Sequence, residues 1–63
     1  MNQSEFGKKL TEIRKSKGLT QFELAEKCEV SLRTIQRIES GKVTPRSFTI
    51  KTLSAALEFN FIE

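Results

Sequence analysis

Apolar residues recur along the chain at helical spacing, in four blocks separated by polar or turn-forming residues. In the first block Phe6, Leu10 and Ile13 fall on one face with charges between them, which predicts a helix over about 3–17. Asn2 and Glu5 supply an Asn-x-x-Glu start pattern, Lys15 and Lys17 suit the helix dipole near the end, and Gly18 stops it. The second block opens on a stronger signal. Thr20 and Glu23 have the spacing of a capping box, and Leu19 and Leu24 that of a hydrophobic staple, so a second helix starts at about Gln21 with Leu24, Ala25 and Cys28 as its apolar stripe. Ser31 can cap a third helix, Val30 and Ile35 repeat the staple, and Gly41 ends it after Ser40. The link Glu29-Val30 is too short for a loop, so helices two and three must cross steeply, with Ala25 as the small residue where they meet. Pro45 biases Thr44 away from helix. A fourth helix then covers about 47–57 with Ile50, Leu53 and Leu57 inward, while Ala55 and Ala56 permit close approach of neighbours. Phe48 fits neither face cleanly. One arrangement packs it on the preceding loop, where it would hold Lys42 and Arg46 in place.

The outer face of helix three carries the most chemical information. At about 100° per residue, Ile35 and Ile38 mark its buried side, Arg33 lies nearly opposite, and Gln36 and Arg37 flank Arg33. Leu32 and Glu39 sit on the border. The exposed surface is therefore Arg, Gln, Arg with no carboxylate among them. A helix with such a face can enter the DNA major groove, where Arg donates two bonds to guanine and Gln pairs bidentately with adenine.

Charge sharpens this picture. The net charge is +3, but residues 30–53 hold Arg33, Arg37, Lys42, Arg46 and Lys51 against the single acid Glu39, whereas residues 1–29 are nearly balanced. A localised basic stripe attracts a polyanion better than scattered charge does. Other function classes lack the residues they need. There is no His, Tyr or Trp, and a four-helix unit of 63 residues leaves little room for a pocket, so no enzyme and no small-molecule substrate are expected. The one cysteine, Cys28, lies on a buried stripe and reads as a core residue; with no histidine beside it, no metal site and no cofactor are expected. The deep, narrow major groove of A-form RNA does not admit a reading helix. No run of eighteen apolar residues and no signal-peptide pattern exists, which points to one cytoplasmic domain spanning 1–63 without a membrane partner.

The segment from residue 20 to 41 resembles the helix-turn-helix of the phage repressor and Cro family of DNA-binding domains. The likeness lies in Leu19-Thr20-Gln21, Glu23-Leu24-Ala25, Val30-Ser31, Thr34-Ile35, Arg37-Ile38-Glu39 and Gly41-Lys42. It extends upstream to Leu10, Ile13-Arg14 and Lys17-Gly18, and downstream to Pro45, Thr49-Ile50, Leu53 and Ala56-Leu57. The resemblance implies an all-α, lambda-repressor-like bundle of four short helices, with at most a partial fifth. It also implies double-stranded DNA as partner, a homodimer on that DNA, and a role in transcription control, most simply as a repressor. By position, Leu32, Arg33, Gln36 and Arg37 match base-reading residues. Gln21, Ser40, Lys42 and Arg46 match phosphate contacts, Gln21 also bracing the reading helix. Arg14 and Glu39 match an ion pair tying helix one to helix three. Two positions depart from the family. Glu29 stands where glycine is common in the turn, and Leu32 stands where Gln is common; leucine can touch a thymine methyl but cannot read adenine by hydrogen bonds.

The tail suggests a different use. Phe59, Phe61 and Ile62 put three large apolar residues into the last five positions. Packing on a second subunit, or continuation into a longer protein, is expected ahead of fold-back on the core. The same cluster supports an alternative reading, an antitoxin-type protein-interaction module in which the tail is the contact surface.

Overall fold

Four helices, α1 (Gln3–Ser16), α2 (Gln21–Cys28), α3 (Leu32–Glu39) and α4 (Ser47–Leu57), make up the computed structural model, which describes residues 3–61. The start signals act as their chemistry requires. The Thr20 hydroxyl accepts from the Glu23 amide at 3.0 Å, and the Glu23 carboxylate accepts from the Thr20 amide at 2.8 Å, which completes the capping box of α2. The Ser31 hydroxyl accepts from the Thr34 amide at 3.1 Å and caps α3. Both staples close, with Leu24 and Ile35 fully buried and Leu19 and Val30 half-buried beside them. The cap pattern at Asn2 lies outside the described residues.

All four helices stop in the same way. The amide of the residue after each last turn bonds back three positions, and the next amide bonds back five. These pairs are Gly18 to Lys15 with Leu19 to Arg14, and Glu29 to Glu26 with Val30 to Ala25. Gly41 to Ile38 with Lys42 to Arg37, and Glu58 to Ala55 with Phe59 to Ser54, complete the set. This Schellman arrangement needs a left-handed residue at its centre. Gly18 and Gly41 take it at φ 73° and 79°, but Glu29 and Glu58 take it at φ 57° and 52°, where a side chain is strained. Glu29→Gly is therefore expected to raise stability by about 1 kcal/mol, read as a shift of the urea midpoint with unchanged slope. An unchanged or lowered midpoint would show that the Glu29 turn carries no such strain.

Helix α3 packs against both α1 and α2, and α4 leans on α2. The core between them is Phe6, Leu10, Leu24, Ala25, Cys28, Ile35, Ile38, Leu53 and Leu57. Ala25 is buried in α2, and three residues, 29–31, separate α2 from α3. Burial pushes the Cys28 thiol up from its ordinary pKa, against a smaller lowering by Lys27, so it is poorly suited to act as a nucleophile.

Three expectations for the C-terminal part are corrected. Ala55 is exposed and offers no close approach, whereas Ala56 packs half-buried against the core beside the expected inward face of Ile50, Leu53 and Leu57. Phe48 is 79% exposed and does not clamp the loop that carries Lys42 and Arg46. The tail does fold back. Phe61 packs its ring on Phe6 with centroids 5.2 Å apart, Phe59 meets Phe61 edge-on at 4.9 Å, and the Lys9 ammonium sits 5.5 Å from the Phe59 centroid. Phe6 offers the tail an aromatic surface at the start of α1, which makes fold-back favourable. Ile62 lies outside the described residues, and among those described no fifth helix follows α4.

Candidate nucleic-acid interface

The short α2–α3 link throws α3 across α2 and leaves one side of α3 in solvent. Ile35 and Ile38 enter the core with at most 1% exposure, while Arg33, Gln36 and Arg37 are exposed. Leu32, in the first turn of α3, is 38% exposed and stands next to this face in sequence. Arg33, Gln36, Arg37, Ser40 and Lys42 line one open groove, so residues from α3 and from the turn after it share a single surface. The Schellman turn at Gly41 makes this possible, because the Lys42 amide bonds the Arg37 carbonyl at 3.0 Å and folds Lys42 back beside the helix. The Ser40 hydroxyl donates to the same Arg37 carbonyl at 3.1 Å. Arg46 is exposed at the N-cap of α4, makes no capping bond, and is not among the residues lining that groove.

A buried polar network holds α3 in place. Arg14, only 7% exposed, donates from Nε to Glu39 Oε2 at 2.7 Å, and a second guanidinium nitrogen donates to Glu39 Oε1 at 3.2 Å. Its third nitrogen donates to the Leu19 carbonyl at 2.7 Å. Gln21 donates from Nε2 to Glu39 Oε1 at 3.0 Å. One carboxylate thus links α1, the entry to α2 and the end of α3. Gln21, expected at a phosphate, is half-buried at the first residue of α2 with its amide nitrogen oriented by Glu39. The sequence pattern did not single out Thr11, whose hydroxyl lies within reach of the Glu39 carboxylate and, at 2.9 Å, of the Gly7 carbonyl. A threonine one turn before Arg14 carries no distinctive spacing signal, so only the packing of α1 on α3 reveals it. Among the described residues no buried side-chain nitrogen or oxygen lacks a partner.

Burial raises the Glu39 pKa, but hydrogen bonds from Arg14, Gln21 and Thr11 and the charge of Arg14 outweigh it, and the carboxyl sits below its ordinary value. A depressed folded-state pKa means stability that is complete above the ordinary glutamate range and lost as pH falls through the folded value. Stability plotted against pH should therefore decline on the acid side, and Glu39→Gln should flatten that decline while lowering the neutral plateau. Parallel acid limbs in the two proteins would show that Glu39 does not contribute to this dependence.

No group of three or more metal-ligating side chains occurs among the described residues, and no helix there is long and apolar enough to cross a membrane.

Comparison with known proteins gives consistent matches. A helix-turn-helix family model matches residues 10–63. The chain is 45% identical over 56 residues to RghRB of Bacillus subtilis (strain 168), described as an uncharacterized HTH-type transcriptional regulator, covering 87% of this chain and 40% of that protein. It is 44% identical over 50 residues to the HTH-type transcriptional activator BcrR of Enterococcus faecalis, covering 79% of this chain and 24% of that protein. The chain thus spans less than half the length of either regulator. Among solved structures, the restriction-modification controller protein C.AhdI from Aeromonas hydrophila superposes with a TM-score of 0.86 at 30% identity, over 89% of this chain and 85% of that one.

Proposed function

The chain belongs to the helix-turn-helix family of Cro/C1 type, and we propose that it binds double-stranded DNA in a sequence-specific manner to regulate transcription, most simply as a repressor. The observation that carries this reading is the groove in which Arg33, Gln36 and Arg37 lie together with Ser40 and Lys42. Inserted in the major groove, α3 reads bases through Arg33, Gln36 and Arg37, and Leu32 adds an apolar contact to a thymine methyl. Ser40 and Lys42 then meet the phosphates beside the reading helix, while Gln21 and Arg46 contact the backbone from the starts of α2 and α4. Two copies on half-sites about one helical turn apart supply the affinity that one short helix lacks, so the active species is a homodimer on DNA, acting in the cytoplasm. The protein-interaction alternative drew on an outward-facing tail. Phe61 packs on the chain's own Phe6 and Phe59 on Phe61 instead, which removes the feature that favoured it.

Selection of bound sequences from a random duplex pool tests the reading. A palindromic winner bound by two protein copies is the expected result. Recovery of no sequence above background at physiological salt would overturn it.

A further inference from the structure

Gly7 sits in the first half of α1, is buried, and is helical rather than at positive φ. Nothing in its backbone conformation requires glycine, and glycine is disfavoured inside a helix. What requires it is space. A Cβ built on Gly7 would lie 2.5 Å from the Ile38 carbonyl oxygen and 2.6 Å from that of Glu39, closer than real Cβ contacts come. Both neighbours are backbone, so no side chain can swing aside. Here α1 rests directly on the last turn of α3, just after Gln36 and Arg37 and immediately before Ser40.

We propose that Gly7 is a positioning residue for DNA reading: by letting α1 seat against the Ile38 and Glu39 carbonyls, it sets where Arg37, Ser40 and Lys42 stand relative to Gln21. This deepens the proposed function and rests on it. Three further features support the role. The Arg14–Glu39 pair joins the same two helices at the same end of α3. Gln21 is tied to that same Glu39 carboxylate, so a shift of the α3 terminus displaces the two proposed DNA-contacting edges against each other. The start of α3 is fixed separately, by the Ser31 cap. A methyl at position 7 must push the α3 terminus away by roughly half an ångström to reach the shortest tolerated separation, which is comparable to the tolerance of a preorganised binding site. Base contacts depend on that geometry, whereas attraction to phosphates depends mainly on charge.

The test compares the parent, Gly7→Ala and Leu57→Val. The last is a core change in α4, whose main packing partner is α2 rather than α3. Affinities for the duplex selected by the parent and for a random duplex are measured at a temperature where circular dichroism shows each protein folded. Amide chemical shifts are recorded alongside. Gly7→Ala is expected to lose about tenfold on the selected duplex and less than twofold on the random one, with amide shifts concentrated at residues 37–42. Leu57→Val is expected to keep the parent's ratio between the two duplexes. A folded Gly7→Ala that retains this ratio overturns the proposal, as does a Leu57→Val that loses it equally. If Gly7→Ala is unfolded in buffer, the ratio is measured in an excluded osmolyte; a chain still unfolded there places Gly7 in folding alone and overturns the proposal. A parent that selects no duplex would refute the DNA-binding reading itself, a result separable from all of these.

Discussion

Arg14→Ala is expected to remove a large share of the protein's stability. The substitution strands Glu39, whose side chain is 6% exposed, and strips a donor from the Leu19 carbonyl. Breaking a buried ion pair by removing one partner costs about 3–5 kcal/mol. A chain of 63 residues has roughly 3–9 kcal/mol of stability to lose, at the usual value per residue. The loss is therefore at least a third of the stability and reaches the whole at the low end of that range. Removing both charges should behave differently. In Arg14→Met with Glu39→Leu no charge is left unpaired, and the new side chains fill similar volume, so most of the stability should return. DNA affinity should not return with it, because Gln21 has then lost the carboxylate that orients its amide. Urea titrations followed by circular dichroism read the first effect, and gel shifts on the selected duplex read the second. A single Arg14→Ala variant as stable as the parent would mean that the network contributes nothing to the fold. A double variant that bound DNA normally would mean that Gln21 needs no brace.

The second large effect falls on binding. Arg37→Ala should weaken the selected duplex by about 1–3 kcal/mol and relax preference at one or two base pairs, with little change on random DNA. Lys42→Ala should weaken every duplex alike and lower the slope of log affinity against log salt by about one unit. The two residues line the same groove, yet one is assigned to base edges and the other to phosphate. Identical behaviour of the two variants across selected and random duplexes would show that this division of roles is wrong.

Much of the fold was legible from short-range chemistry. Each cap, staple and glycine stop involves partners no more than five residues apart. Thr20 with Glu23, Ser31 with Thr34, and Gly41 with Ile38 therefore mark the starts of α2 and α3 and the end of α3 without reference to the rest of the chain. Helical periodicity likewise separated Ile35 and Ile38 from Arg33, Gln36 and Arg37, because the side of a helix a residue occupies follows from its number. The Arg14–Glu39 pairing was available only through family resemblance. Twenty-five positions separate the two residues, and no local rule links them.

What the sequence by itself determined was therefore local: where the helices begin and end, which face of each is apolar, and which cations are free to meet a polyanion. Tertiary structure alone decided how those faces meet. It turned Phe61 onto Phe6 and Phe59 onto Phe61, left Phe48 and Ala55 in solvent, and pressed Gly7 against two carbonyls of α3. The physical reason is that burial depends on which surface arrives opposite a residue. That is fixed by helix crossing and by the sum of many distant contacts, and the spacing of residues within one helix carries no record of it.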